Sequence, residues 1–359
     1  MKSKLVLCLM LILAWGLAHN GAFAQEAANA LYRTEEITIQ AGDFTIVGDF
    51  YIPVKGAKHP VAIWVHGSGA ATRELIAPIL KPQIETFLKA GFAFFVDDIP
   101  GAGESKGEIK SAYKDRSYIL TKEIEAIKKR DDVIKNQIGI IGTSQAGIVM
   151  PLATTMTSDI AFMITECCPA ENAYRQEAYL LECLMICDGV PVIEAKKASA
   201  LHIQRFESEN WKEYCDAADT LNKNSLVKLL QMDYGIFDDE DSFKKRNRST
   251  SRPGFFYDPM LVVSNLKFPV LALFGEKDKN VNSVQGVDAY NKALKAAGNK
   301  FFQVEMIPNA NHVLFETESG CIREIPQQIL SGKPNYAPKV LNVLSQWIEK
   351  LQKHFAQQQ

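Results

Sequence analysis

Apolar and polar residues alternate over Glu36 to Gln40 and again over Phe44 to Ile52, on either side of the polar turn Ala41-Gly42-Asp43. That period of two predicts an antiparallel hairpin at a sheet edge. Beyond Pro53 the pattern changes. Val61-Ala62-Ile63-Trp64-Val65 is continuously apolar, as a strand covered on both faces requires. Ile79, Ile84, Phe87 and Leu88 follow at helical spacing, and Gly91 closes the helix. Next come a strand from Phe92 to Val96, a glycine-rich turn, a helix from Tyr118 to Ile134 and the short apolar run Ile138 to Ile141. A helix from Gln145 to Met156 and a strand from Ile160 to Thr165 complete this part. Strand and helix in alternation predict a mostly parallel sheet with helices on both faces.

The alternation then stops. Between Pro169 and Tyr257 no apolar run reads as a buried strand, while Trp211, Tyr214, Leu221 and Leu226 recur at helical spacing. This predicts a helical lid, residues 169–257, inserted between core segments 25–168 and 258–359. Its basic run, Lys244 to Arg248, reads as a solvated face. Alternation resumes with a strand at Val270 to Phe274, a helix at Ser283 to Ala297, a strand at Phe301 to Ile307 and an amphipathic helix at Tyr336 to Phe355.

The chemistry is concentrated where strands end. Ile138-Gly139-Ile140-Ile141 runs directly into Gly142-Thr143-Ser144-Gln145-Ala146-Gly147, a small-residue turn with a serine at its tip. Such an elbow lifts a hydroxyl above the sheet beside the N–H of the next residue. Six residues alone would equally suit an incidental serine in a strand-turn-helix. A serine nucleophile also needs a base and a group to orient that base. His312 follows the strand ending at Ile307 and Asp278 follows the strand ending at Phe274, so both are expected at the carboxyl edge that carries Ser144. Glu276 and Glu166 are competing acids. Backbone N–H groups of Gln145 and of Ser68, in His66-Gly67-Ser68-Gly69, are the expected oxyanion donors.

The remaining composition narrows the setting. Of 359 residues, 47% are hydrophobic and 23% charged, which fits a folded globular chain. Lys2 and Lys4 precede the apolar stretch Leu5 to Leu17, and Ala22-Phe23-Ala24 follows. This is the pattern of a secretory signal cleaved after Ala24, and the stretch is too short to span a bilayer. No later segment approaches spanning length, so stable membrane insertion is not expected. The net charge of −2 and the absence of a long basic block argue against nucleic acid as a partner. Six cysteines lie beyond the signal, and their spacing fixes neither a pairing nor a zinc site. Oligomeric state is not encoded legibly.

Together these segments resemble the α/β-hydrolase superfamily, and within it secreted bacterial serine esterases of the dienelactone-hydrolase-like and prolyl-oligopeptidase-like group. Val65-His66-Gly67-Ser68-Gly69 is similar to the oxyanion loop, and Asp98-Ile99-Pro100-Gly101-Ala102-Gly103-Glu104-Ser105 to the loop after the fourth strand. Asp258-Pro259 resembles the exit from the lid, Phe274 to Asp278 the acid loop, and Asn309-Ala310-Asn311-His312 the histidine loop. The resemblance implies an eight-stranded α/β-hydrolase fold, a Ser144, Asp278, His312 triad, no cofactor or metal, and a small-molecule ester as substrate. Thr143 stands where relatives often carry His, and Ala146 where they carry Gly. A peptidase or an acyl or thioester transferase would use the same residues, and a noncatalytic binding protein could retain the fold.

Overall fold

The computed structural model describes residues 31–223, 237, 239–252, 254–331 and 335–358. The expected signal segment and Leu226 lie outside the described residues. Strands β1 (Tyr32–Ala41) and β2 (Phe44–Pro53) form the antiparallel hairpin, and β3 (His59–Val65), β4 (Ala93–Asp97), β5 (Val133–Thr143), β6 (Met163–Glu166), β7 (Val270–Gly275) and β8 (Phe302–Ile307) follow. The sheet has eight strands in the order β1-β2-β4-β3-β5-β6-β7-β8. All pairings from β4 to β8 are parallel, whereas β1 with β2 and β2 with β4 are antiparallel. This is the α/β-hydrolase arrangement.

The continuous apolar runs serve two cores at once, because successive side chains of a strand point to opposite faces. Val61, Ile63 and Val65 of β3 pack with Phe95, Ile138 and Ile140 on one face. There they meet helix α2 (Lys114–Ile127) and helix α3 (Ala146–Thr154). Ala62 and Trp64 face the other way, with Phe94, Ile141, Ile164, Leu271 and Leu273, against helix α1 (Arg73–Lys89). The C-terminal amphipathic helix seals that face through Val340, Leu344, Trp347, Ile348 and Leu351, all buried.

Between β6 and β7 the regular elements among the described residues are all helices: α4 (Ala173–Cys187), α5 (Val192–Glu207), α6 (Trp211–Asn222), α7 (Glu240–Lys245) and the short α8 (Met260–Val263). After β7 come α9 (Ser283–Ala296), α10 (Glu324–Leu330) and α11 (Lys339–Ala356). Trp211, Tyr214, Phe237 and Phe243 form an aromatic cluster in this helical segment, with the Arg246 guanidinium 3.5 Å above the Phe243 ring. The basic run is therefore partly engaged by cation–π contact instead of being wholly solvated.

One disulfide, Cys187–Cys321, joins the end of α4 to the segment beyond β8, and Arg323 pairs with Asp188 beside it. Cys167, Cys168, Cys183 and Cys215 are free thiols. Tyr179 Oη donates to the Asp278 carbonyl at 2.9 Å and Gln176 Nε2 to the Asn280 carbonyl at 2.8 Å. Helix α4 is thus fastened to the loops after β7 and β8. Among the described residues no helix is long and apolar enough to cross a membrane.

Two boundaries differ from the pattern-based reading. Helix α2 begins at Lys114, where the Asp115 carboxylate accepts from the backbone N–H groups of Lys110 and Ser111 at 2.8 and 2.9 Å. It ends at Ile127, so Val133 and Ile134 belong to β5. The charged stretch from Lys128 to Asp132 lies between them, and Val133 pairs with His59.

Burial also imposes a pH dependence. Glu177 of α4 faces His202 and Arg205 of α5, all three buried; burial pushes the Glu177 carboxyl up to about 8 and the His202 imidazole down to about 3. Burial likewise pushes Glu166, against Gln83, up to about 7, and carries Glu123 well above the ordinary range. A carboxyl whose pKa is raised on folding contributes most below its unfolded pKa, near 4.5, and loses that contribution as pH rises through the folded value. The lowered His202 acts oppositely, favouring folding as pH rises from about 3 to about 6.5. The three carboxyls outnumber it, so Tm is expected to fall by roughly 5 °C or more between pH 5 and 8. Differential scanning calorimetry of the parent against E166Q/E177Q tests this: the double variant should show the flatter profile.

Candidate active site

The elbow after β5 is built by close approach. A Cβ on Gly142 would lie 2.4 Å from the Val65 carbonyl oxygen and 2.6 Å from the Ala146 Cβ; one on Gly147 would lie 2.5 Å from the Cys168 Cβ. Ala146 is accommodated because position 142 has no side chain. Ser144 has φ 55°, in the left-handed region that costs a non-glycine residue of order 1–3 kcal/mol. Its N–H donates to the Glu166 carbonyl at 3.1 Å, and its own carbonyl accepts from Gly147 at 2.9 Å, so the turn is held at both ends. The residue is half-buried, and its hydroxyl makes no hydrogen bond among the described residues.

The structure brings Asp278 and His312 together. His312 Nδ1 lies 2.9 Å from Asp278 Oδ2, with the residues only 7% and 2% exposed. Asp278 Oδ1 accepts from the N–H groups of Asn280 and Val281 at 2.7 and 2.9 Å, which fixes the carboxylate. The histidine loop is set by buried Asn311, whose Oδ1 accepts from Val313 and Phe315 N–H at 3.0 and 3.1 Å. With Nδ1 on the aspartate, Nε2 is the ring nitrogen left for proton exchange.

The two competing acids have other partners. Glu276 Oε2 accepts from Asn309 N–H at 2.9 Å, tying the acid loop to the histidine loop. Glu166 accepts from Gln83 Nε2 at 3.1 Å. Among the described residues, Cys167, Asp278 and His312 are the one group whose metal-binding atoms lie close together, within 4.8 Å of one another. Two of these already bond each other, and burial, reinforced by Asp278, raises the Cys167 thiol well above its usual range. A neutral thiol is a poor ligand and a poor nucleophile.

Of the expected oxyanion donors, Gln145 follows Ser144 in the chain and Ser68 follows Gly67. Gly67 packs against Ser144, since a Cβ on Gly67 would be 3.2 Å from the Ser144 Cβ. The backbone N–H groups of Ser68 and Gln145 have no intramolecular acceptor among the described residues. Pattern reasoning missed Arg116, in the first turn of α2. Its Nη1 donates to the Gly67 carbonyl at 2.9 Å and to Gln145 Oε1 at 2.7 Å, and its Nη2 donates to the His66 carbonyl. Burial lowers the guanidinium pKa while Asp97 and Glu123 oppose that shift. His66 itself faces away, with Nε2 2.8 Å from the Asp97 carbonyl. A strained serine, an acid-bound imidazole and unoccupied N–H groups at one sheet edge can carry out acyl transfer.

A sequence model of the X-Pro dipeptidyl-peptidase (S15) family matches residues 19–313, a span that runs from the N-terminal region through His312. No curated protein matches the sequence. Among solved structures, an esterase of Pyrococcus furiosus superposes with a TM-score of 0.55 at 13% identity, covering 89% of this chain and 91% of that one. Est1E of Butyrivibrio proteoclasticus, solved with ferulic acid bound, superposes with a TM-score of 0.50 at 16% identity, covering 89% and 98%. At these identities the likeness speaks to fold.

Proposed function

The chain belongs to the X-Pro dipeptidyl-peptidase (S15) family, within the α/β-hydrolase superfamily, and from that premise we propose that this hydrolase cleaves small carboxylic esters through Ser144, His312 and Asp278. The observation that carries the reading is the 2.9 Å bond from His312 Nδ1 to Asp278, which leaves Nε2 for the serine on the shared edge. In the proposed reaction Ser144 Oγ adds to the ester carbon as its proton passes to Nε2. The N–H groups of Ser68 and Gln145 receive the charge forming on the carbonyl oxygen. Collapse expels the alcohol, which takes the proton from His312, and water then releases the acid from the acyl-serine by the same steps.

In this reading residues 169–257 act as a lid, and α4, fastened to the acid and histidine loops, is its fixed wall. The disulfide supports an oxidising compartment, in agreement with the expected signal. The family match favours a second reading, a peptidase that releases X-Pro dipeptides. Comparing p-nitrophenyl acetate and butyrate with Ala-Pro-p-nitroanilide decides between them. The ester reading expects the larger kcat/KM on the esters; a larger value on the anilide would replace it with the peptidase.

A further inference from the structure

We propose that Arg116 is a positioning residue that holds the oxyanion hole in its working geometry by fixing the 67–68 peptide plane and the Gln145 side chain together. The inference rests on the serine-hydrolase reading and adds a residue to its machinery. The Gly67 carbonyl and the Ser68 N–H belong to one planar trans peptide, so they point in opposite directions. Drawing the Gly67 oxygen onto Arg116 Nη1 at 2.9 Å therefore aims the Ser68 N–H away from the guanidinium. The same nitrogen holds Gln145 Oε1 at 2.7 Å, and Nη2 holds the preceding carbonyl, that of His66. One rigid fork thus spans both segments expected to supply donors.

The loop needs such a hold. Gly67 has no side chain to anchor it, Gly69 sits at φ 95°, and Ser68 is exposed, so rotation of the 67–68 peptide meets little steric resistance. Rotation would present a carbonyl oxygen, instead of an N–H, to the oxygen that becomes negative. The guanidinium is itself held in place electrostatically. It lies beside a small cavity of about 30 Å³ that Asp97, Glu123 and His66 also line. Asp97 and Glu123 both favour the charged guanidinium against the effect of burial. Arginine suits this task where lysine would not, since its planar donors reach several acceptors in fixed directions.

The test compares R116M, R116K and S144A with the parent on p-nitrophenyl butyrate and on a trifluoromethyl ketone of matching chain length. With the ketone, Ser144 Oγ adds to the carbonyl carbon, its proton passes to His312, and the ketone oxygen becomes the anion held in the hole. For R116M, kcat should fall about 100-fold with KM changed less than about 3-fold, the scale expected for a misplaced oxyanion donor. Ketone affinity should fall in step with kcat/KM, which loss of active protein alone would not produce. R116K, which keeps the charge and folds if R116M does not, should fall between R116M and the parent by both measures. Parent-like kcat in folded R116M, or in R116K should R116M not fold, would overturn the proposal; so would a loss of kcat with unchanged ketone affinity. Full turnover by S144A would overturn the serine reading instead, whatever the Arg116 variants do.

Discussion

Replacing Ser144 with alanine is expected to lower kcat by about 10⁴-fold or more, with folding and substrate affinity preserved. The size follows from what remains. Without Oγ no acyl-enzyme forms, and His312 can only assist water from a position arranged for a serine proton. Residual turnover then comes from the oxyanion donors and from binding. The backbone should tolerate the change, since the elbow is held by the Ser144 N–H on Glu166 and the Ser144 carbonyl on Gly147, and neither bond involves the side chain. Alanine retains the cost of φ 55°, so little stability is released. Steady-state kinetics on p-nitrophenyl esters, with Tm measured alongside, checks both halves of the expectation.

Asp278→Asn should cost about 10⁴-fold in kcat while the geometry stays nearly intact. Asp278 Oδ2 accepts from His312 Nδ1, which fixes the tautomer whose Nε2 is free to take a proton. An amide of the same shape can instead donate to Nδ1, placing the ring proton on Nε2 and removing the base. The neighbouring acids offer no substitute, because Glu276 is bound to Asn309 N–H and Glu166 to Gln83. The lost rate should return partly at high pH, where hydroxide replaces the missing base. A pH profile of D278N that rises into the alkaline range supports this account; a parent-like rate at pH 7 would remove Asp278 from it.

The legible part of this site lies in residues that follow apolar strands within a few positions. Ser144, Asp278 and His312 come one, three and five residues after β5, β7 and β8, so finding those strands by their apolar runs located the residues on one edge. The glycines at 142 and 147 were legible as close approaches because only a missing Cβ fits there. Arg116 was not, since its partners at positions 66, 67 and 145 come from two other elements and an arginine in a first helical turn has no local signature. The pairing of Cys187 with Cys321 was equally hidden, because it spans 134 residues and depends on where α4 packs. The end of α2 was misplaced because Val133 and Ile134 continue its apolar spacing, although strand pairing with β3 claims Val133.

The central claim is a covalent one: the hydroxyl at the β5 elbow attacks the carbonyl carbon. Reaction of the folded parent with a fluorophosphonate at pH 7.5, followed by intact mass and peptide mapping, tests it most directly. The account predicts one adduct per chain, located on Ser144, with ester hydrolysis lost in proportion to labelling and no adduct on S144A. Folded, ester-cleaving protein that remains unmodified, or that carries the adduct on another residue, would contradict it.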